Sequence, residues 1–223
     1  MPISGLIFDL DGTITHTLPL CIAAFREAVE PLAGRAVTDD EIVATFGPSE
    51  EGTILALAPE RYERGVADFL AAYERLLGPE HGPFPGITDW LSELMSSGAR
   101  LGLVTGKGAR SAQLTLERFA LTPYFEHVAT GSPHGPVKTE RIAEIVEIWG
   151  LKPSEIAYVG DAPSDIEAAR RAGIRMISAA WLPGSEDEIS RLTALGPDVI
   201  ARSVGEARRW VMEQGVPEAV FGG

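Results

Sequence analysis

The sequence predicts an α/β protein in which helices cover both faces of a parallel sheet and an all-helical insert follows the first strand. Strand and helix patterns alternate from Thr88 onward, and repeated strand–helix units form parallel sheets. Between the first strand and Thr88, helical patterns dominate and little strand signal remains. The 223 residues, 45% of them hydrophobic, suffice for a core domain with a smaller module.

The first strand ends in two carboxylates that lie two positions apart. An apolar run at residues 6–8 leads into Asp9, Leu10 and Asp11, and a glycine follows. Because side chains alternate between faces along a strand, Asp9 and Asp11 should point the same way while Leu10 points into the core. The alternative is a hairpin, with the Asp-Gly pair as its turn and residues 13–15 as the returning strand; the downstream patterns disfavour it.

The insert is predicted to contain four helices and to be joined to the core by two linkers. Helical patterns cover residues 18–32, 38–46, 53–58 and 59–77, and a capping box opens the second. Residues 47–52 are predicted to form a loop, and residues 15–17 and 78–86 to form the linkers. We therefore predict a cap domain over residues 16–85, a core formed by residues 1–15 and 86–223, and hinges near residues 14–17 and 79–86.

After the insert, five further strands and six helices are predicted to alternate. The strand patterns cover residues 100–104, 126–129, 156–159, 174–179 and 198–200. The helical patterns cover residues 88–97, 109–119, 139–149, 163–172, 185–195 and 204–214.

Polar side chains recur where the predicted strands end. In chain order they are Asp9, Asp11, Thr105, Gly106, Lys138 in the loop after a strand, Asp161 and Asp165. Because parallel strands carry their carboxyl ends to one edge, we expect these groups to converge. Each has an ordinary reading by itself: a strand-to-helix turn for Thr105, a surface lysine for Lys138, and a helix-dipole partner for Asp165. Their common position at strand ends favours a shared functional site over these separate structural roles.

The expected charges in this crevice indicate a cation. Four carboxylates opposed by Lys138 alone are unfavourable unless some are protonated or a cation binds. Oxygen ligands without Cys or His nearby suit Mg²⁺ rather than Zn²⁺. A hard cation beside a hydroxyl from Thr105 and an ammonium suits a phosphoryl group. Asp9 could then attack phosphorus, and Asp11 could act as the general acid and base.

These motifs resemble those of the haloacid dehalogenase superfamily. The matching segments are Phe8-Asp9-Leu10-Asp11-Gly12-Thr13, Val104-Thr105-Gly106, Lys138 and Gly160-Asp161 followed four residues later by Asp165. The insert resembles the helical cap of the subgroup that contains phosphoglycolate phosphatase. The resemblance implies a Rossmann-like core of three layers, a mobile helical lid and a Mg²⁺-dependent aspartyl-phosphate mechanism.

By motif position, the resemblance also implies individual roles. Asp9 would be the nucleophile and a metal ligand, and Asp11 would be the acid/base, with its backbone carbonyl also reaching the metal. Thr105, Gly106 and Lys138 would bind the phosphoryl group. Asp161 would bind metal, with Asp165 in the outer shell or paired with Lys138. Because true dehalogenases of this superfamily lack an acid at the position of Asp11, the sequence indicates phosphate rather than carbon–halogen chemistry.

The sequence departs from the family pattern at two places. His16-Thr17 stands where an acidic residue followed by Ser or Thr is common, and Thr139 rather than proline follows Lys138. His16 is a candidate contact for the leaving group, with packing in the hinge as the alternative.

Substrate choice is expected to depend on the lid, because the core binds only the phosphoryl group. The loop at residues 47–52 is the first candidate, with Lys107 and Arg110 on the core rim. Lys107 would recruit an anion or be a solvated loop lysine, and Glu50 and Glu51 are expected to form a solvated helix start.

The bulk charge excludes some partner classes. Lys plus Arg number 19 and Asp plus Glu number 32, giving a net charge of −13, so we expect neither nucleic acid nor membrane binding. The single cysteine, Cys21, is expected to be a small apolar helix residue, and it indicates a reducing compartment. We see no signal peptide and expect a cytoplasmic protein, either monomer or homodimer.

The predicted function is a Mg²⁺-dependent phosphomonoester hydrolase acting on a small phosphorylated metabolite such as phosphoglycolate. The alternatives are a sugar phosphomutase, in which the phosphoryl group passes to sugar, and a non-catalytic binding module on the same fold.

Overall fold

A parallel sheet of six strands organises the computed structural model, which describes residues 2–182, 184 and 186–217. In chain order the strands are β1 (Gly5–Phe8), β2 (Arg100–Val104), β3 (His127–Ala129), β4 (Ile156–Gly160), β5 (Arg175–Ala179) and β6 (Val199–Ala201). Their spatial order is β3-β2-β1-β4-β5-β6. Strand β1 is central, and Phe8 pairs with Leu103 on one side and Val159 on the other. This parallel pairing excludes the hairpin alternative.

Helices form the insert and cover both faces of the sheet. The insert contains α1 (Leu18–Ala33), α2 (Asp39–Val43), α3 (Glu50–Leu57) and α4 (Tyr62–Leu76). The core contains α5 (Ile87–Ser96), α6 (Ala109–Arg118), α7 (Lys138–Trp149), α8 (Pro163–Ala172), α9 (Glu186–Ala194) and α10 (Val204–Gln214). The predicted fold class, a three-layer α/β core with a helical cap inserted after the first strand, is confirmed.

Alternation along β1 sends its side chains to two separate apolar cores. Phe8 packs edge-on against Trp90 of α5, with ring centroids 5.3 Å apart, in the core that also contains residues of α10. Ile7 points to the opposite face, among residues of α7 and α8 such as Ile145 and Ile166. Both β1 faces are therefore buried, which fixes the strand and the residues that follow it.

The insert has an apolar core of its own. Phe25 of α1 stacks on Phe69 of α4 with ring centroids 4.4 Å apart, and Tyr73 lies beside them. The predicted capping box is present: the Thr38 hydroxyl accepts from Glu41 N, and the Glu41 carboxylate accepts from Thr38 N.

Two element boundaries differ from prediction near the site. Helix α3 begins at Glu50, so Glu50 to Gly52 are helical and not part of a loop. Two acids in the first turn complement the helix dipole and extend the helix toward its N-terminus. Helix α7 begins at Lys138 itself, which was predicted to lie in the preceding loop.

The two predicted linkers lie side by side. Thr15 and Pro83 form an antiparallel bridge, and Phe84 N donates to Ile14 O at 2.9 Å. The chain therefore enters and leaves the cap at one place, and the hinges and domain boundaries stay predictions. Residue 185, the predicted start of α9, and residues 218–223 of the C-terminal tail lie outside the described residues.

Among the described residues, none of the helices combines the length and the hydrophobicity that crossing a bilayer requires.

Truncating a buried side chain of the central strand should lower the free energy of unfolding far more than truncating an exposed isoleucine. Ile7 is fully buried, whereas Ile148 on α7 is 59% exposed. We expect Ile7→Ala to lower the free energy of unfolding by about 2–5 kcal/mol, because it opens a cavity. Ile148→Ala, the matched control, should change it by about 0.5 kcal/mol or less. Urea unfolding measures both, and equal losses would contradict this account of the core.

Candidate active site

Three carboxylates converge at the carboxyl edge of the sheet. Asp9 follows β1 and Asp161 follows β4, while Asp165 lies in the first turn of α8. Backbone pairing continues past the strand, since Asp9 N donates to Val159 O at 2.9 Å. One oxygen from each carboxylate lies within 4.8 Å of the others. We call these residues the acidic trio.

Lys138 lies against two members of the acidic trio. Its Nζ is 2.8 Å from Asp9 Oδ2 and 2.5 Å from Asp165 Oδ1. Burial alone would lower the pKa of Lys138, but the charges of Asp165 and Asp9 outweigh it and raise that pKa above its usual value. The ammonium therefore stays charged, with one positive charge facing the trio.

The acidic trio fits a divalent cation. Asp9 Oδ1 is buried and has no hydrogen-bond partner in the described part of the chain. Burial raises the pKa of Asp9, and the charges of Asp165 and Asp11 add to this rise while Lys138 opposes it. Burial and the neighbouring carboxylates likewise raise the pKa of Asp161. A buried carboxylate oxygen without a hydrogen-bond partner is unfavourable, and so is the repulsion among the three carboxylates. A hard cation such as Mg²⁺, bound by these oxygens, would relieve both.

The turn after Asp11 holds Asp161 in place. Gly12 has a left-handed backbone with φ of 78°, and a side-chain Cβ there would overlap the Asp161 carboxylate. The next residue, Thr13, donates its hydroxyl to Asp161 Oδ1 at 3.1 Å. The first and last motifs are therefore in direct contact.

The Asp11 side chain lies apart from the acidic trio. Its Oδ2 is 3.3 Å from Lys107 Nζ, and its Oδ1 accepts from the Thr17 hydroxyl. The predicted metal contact of Asp11 would therefore involve the backbone carbonyl alone.

Lys107 is buried between core and cap. It is 3% exposed, its Nζ is 3.1 Å from Glu50 Oε1, and it lies 4.3 Å from the centroid of the Tyr73 ring. Burial would lower the pKa of Lys107, but Asp11 first, and other groups including Glu50, raise it well above the usual value. Of the two alternatives for Lys107, the solvated loop lysine is wrong, and so is the expectation that Lys138 alone opposes the carboxylates.

Glu50 is likewise not solvated. It is 8% exposed, its Oε1 accepts from the Ser111 hydroxyl at 2.6 Å, and its carboxylate also accepts from Gly108 N. Sequence reasoning flagged Lys107 and Glu50 separately but missed their pairing, because no local pattern connects a cap helix with a core loop.

The remaining predicted residues divide between the cavity and the surface. Thr105 is buried and lines the cavity with Gly106, and its hydroxyl accepts from Lys107 N at 3.2 Å. His16 is exposed and does not line it; its ring stacks on Phe84 at 6.0 Å, which fits the packing alternative. Arg110 is also outside the lining and donates to Gln113.

The expectation that Cys21 is a small apolar helix residue is confirmed, because Cys21 is a buried residue of α1. It lies in the cap core and is 4% exposed. Burial raises the pKa of its thiol to about 12, although Lys107 nearby acts in the opposite direction. The thiol is therefore neutral near neutral pH.

Of the acidic trio, Asp9 lines a cavity between core and cap. The cavity volume is about 340 Å³, which suits a small metabolite. Asp9, Asp11, Thr105 and Lys138 form its core wall, and residues of α1 and α3 and of the segment before α3 form its cap wall.

Comparison with known families matches this chain to the model described as haloacid dehalogenase-like hydrolase, over residues 6–179. The chain belongs to the haloacid dehalogenase-like hydrolase family. The sequence resemblance is thereby confirmed, and the matched span includes the acidic trio, Lys138 and the helices of the insert.

Relatives of this family resemble the chain over most of its length. A phosphoglycolate phosphatase of Synechococcus elongatus is 31% identical, covering 87% of this chain and 90% of its own. A pyrophosphatase PpaX of Anoxybacillus flavithermus is 29% identical, covering 81% and 85%. A solved haloacid dehalogenase-like hydrolase of Streptococcus pneumoniae superposes with a TM-score of 0.74 at 26% identity, covering 93% and 98%. The chain is a hydrolase of this family, as predicted.

Two glycines with left-handed backbones provide a matched test of the contact between the motifs. Alanine at Gly34, which ends α1 and has open space around it, should cost about 1 kcal/mol of unfolding free energy from backbone strain alone. Gly12→Ala should cost about 1–3 kcal/mol more, because its methyl group also displaces Asp161. Urea unfolding without metal compares the two, and equal losses would show that residue 12 does not constrain Asp161.

Proposed function

We propose that this family member is a Mg²⁺-dependent phosphomonoester hydrolase that acts on a small phosphorylated metabolite through an aspartyl-phosphate intermediate. The observation that carries the proposal is the orphaned Asp9 oxygen beside Lys138 and within the acidic trio. A carboxylate held this way can serve both as a ligand and as a nucleophile. The relatives' printed names, a phosphoglycolate phosphatase and a pyrophosphatase, support phosphoryl hydrolysis.

The binding roles follow from the donor set. Asp9, Asp161 and Asp165 would hold Mg²⁺, together with the backbone carbonyl of Asp11. When bound, the ion would neutralise charge on the phosphoryl oxygens. The Lys138 ammonium and the Thr105 hydroxyl would donate to these oxygens, with Gly106 beside them.

The proposed reaction has two balanced steps. In the first, Asp9 forms a bond to phosphorus, the ester P–O bond breaks, and Asp11 gives its proton to the leaving oxygen. In the second, Asp11 takes a proton from a water that attacks the aspartyl phosphate, which releases inorganic phosphate and restores Asp9. The Lys107 ammonium, at 3.3 Å from Asp11, would stabilise the carboxylate form that exists between the steps.

The proposal gives no substrate-binding role to His16 or Lys107, the two candidate contacts named from the sequence. His16 does not line the cavity, and Lys107 is already paired with Asp11 and Glu50. A cytoplasmic location is proposed as well, supported by the single reduced and buried Cys21.

Removal of divalent metal should abolish hydrolysis. We expect Mg²⁺-dependent phosphate release from p-nitrophenyl phosphate, loss of activity in EDTA, and recovery when Mg²⁺ is added in excess, because the acidic trio repels the phosphoryl group without the cation. A phosphate-release assay measures this. Full activity in EDTA would contradict the metal assignment, and absence of release in Mg²⁺ would favour the non-catalytic alternative.

Replacing the proposed nucleophile should remove turnover. Asp9→Asn keeps the side-chain shape but is a far weaker nucleophile, so we expect kcat to fall about a thousandfold or more. Asp68→Asn is the matched control and should retain the activity, because the Asp68 side chain on α4 is 45% exposed and lies outside the cavity. Near-normal turnover by Asp9→Asn would refute the nucleophile assignment. Isomer interconversion of a sugar phosphate in place of phosphate release would instead indicate the mutase alternative.

A further inference from the structure

The cavity holds more negative than positive side chains. Its charged lining residues are five acids and three bases: Asp9, Asp11, Glu50, Glu140 and Glu167, against Lys107, Lys138 and Arg171. A bound Mg²⁺ and a phosphoryl dianion would offset each other. The excess of acids would therefore persist in the loaded site.

Each of the three cations already faces a carboxylate. Lys138 pairs with Asp9 and Asp165, and at the rim Arg171 lies 3.7 Å from Glu167. Lys107 is the cation nearest the cap wall, and both Asp11 and Glu50 neutralise it. A second anionic group on a substrate would therefore compete with these carboxylates for the cations.

The cap wall is largely apolar, and its polar side chains include Glu50 and Thr53. Leu18, Phe25, Phe46 and Pro48 line this side, and Glu50 is the charged side chain that the described cap residues contribute. Phe46 is 38% exposed and packs with its ring centroid 6.0 Å from that of Phe25, so part of its face is free for contact. Apolar surface of this kind stabilises carbon atoms and offers nothing to a carboxylate.

We propose that the substrate's leaving group is an uncharged and partly apolar alcohol or phenol, which carries neither a carboxylate nor a second phosphate. This inference rests on the proposed phosphatase function and narrows it. It separates this chain from the relatives named for phosphoglycolate and pyrophosphate, whose named substrates both carry a further anionic group. It also disfavours phosphoglycolate, the example that the sequence resemblance suggested.

Two esters with the same two-carbon skeleton test the charge preference. Hydroxyethyl phosphate and phosphoglycolate differ in that a neutral CH₂OH group replaces a carboxylate. With the Mg²⁺-loaded enzyme, we expect kcat/KM to be about tenfold or more higher for hydroxyethyl phosphate, because an added charge meets the net negative cavity. Equal or better turnover of phosphoglycolate or of pyrophosphate would overturn the inference and leave the proposed function intact.

Three variants test the residues that carry the inference. Phe46→Ala should lower kcat/KM for phenyl phosphate about tenfold, because it removes apolar contact. Val43→Ala, at a cap residue of similar exposure that does not line the cavity, should leave kcat/KM unchanged. Glu50→Gln removes one of the two carboxylates paired with Lys107. It should therefore lower the ratio of kcat/KM for hydroxyethyl phosphate to kcat/KM for phosphoglycolate. An unchanged kcat/KM ratio of the two esters in Glu50→Gln would count against the inference. So would equal effects of Phe46→Ala and Val43→Ala on kcat/KM for phenyl phosphate.

The two proposals fail in different ways. Absence of Mg²⁺-dependent phosphate release from p-nitrophenyl phosphate and from both esters would refute the proposed function and the inference together. Release from p-nitrophenyl phosphate with a preference for the anionic ester would refute the inference alone.

Discussion

Mutual repulsion between carboxylates at the ends of β1 and β4 is the constraint on which this site depends. Parallel pairing of the two strands brings Asp9 beside Asp161, and the first turn of α8 adds Asp165. Buried charges this close disfavour ionisation unless cations balance them. Lys138 supplies part of that balance from the start of α7, and Asp9 Oδ1 has no hydrogen-bond partner among the described residues.

The two aspartates of the first motif have different lysine partners. Asp9 pairs with Lys138, and both belong to the core, whereas Asp11 faces Lys107, which also binds Glu50 of the cap. The surroundings of Asp11 are therefore complete only while the cap covers the core. The residue proposed for proton transfer is thus the one whose environment depends on the cap.

The pairing of Lys107 with both Asp11 and Glu50 connects the proposed proton transfer with the proposed choice of leaving group. Core side chains provide a charged cradle that suits a phosphoryl group, and the cap adds an apolar wall. Because Glu50 of the cap pairs with Lys107, the proposed preference for an uncharged leaving group depends on how the cap sits on the core. Related members of one fold can in this way share a reaction and differ in substrate.

The sequence by itself determined the sheet, most helix positions and which strand ends carry polar groups, because periodicity is local and parallel strands end at one edge. It misassigned Glu50, since the glycine and proline at 47 and 48 are typical of a loop, and it left Lys107 open between two roles. Only the tertiary structure decided that these two charges are buried together. Burial of a charge depends on which surfaces pack against each other, and no pattern within the cap or the core encodes how one covers the other.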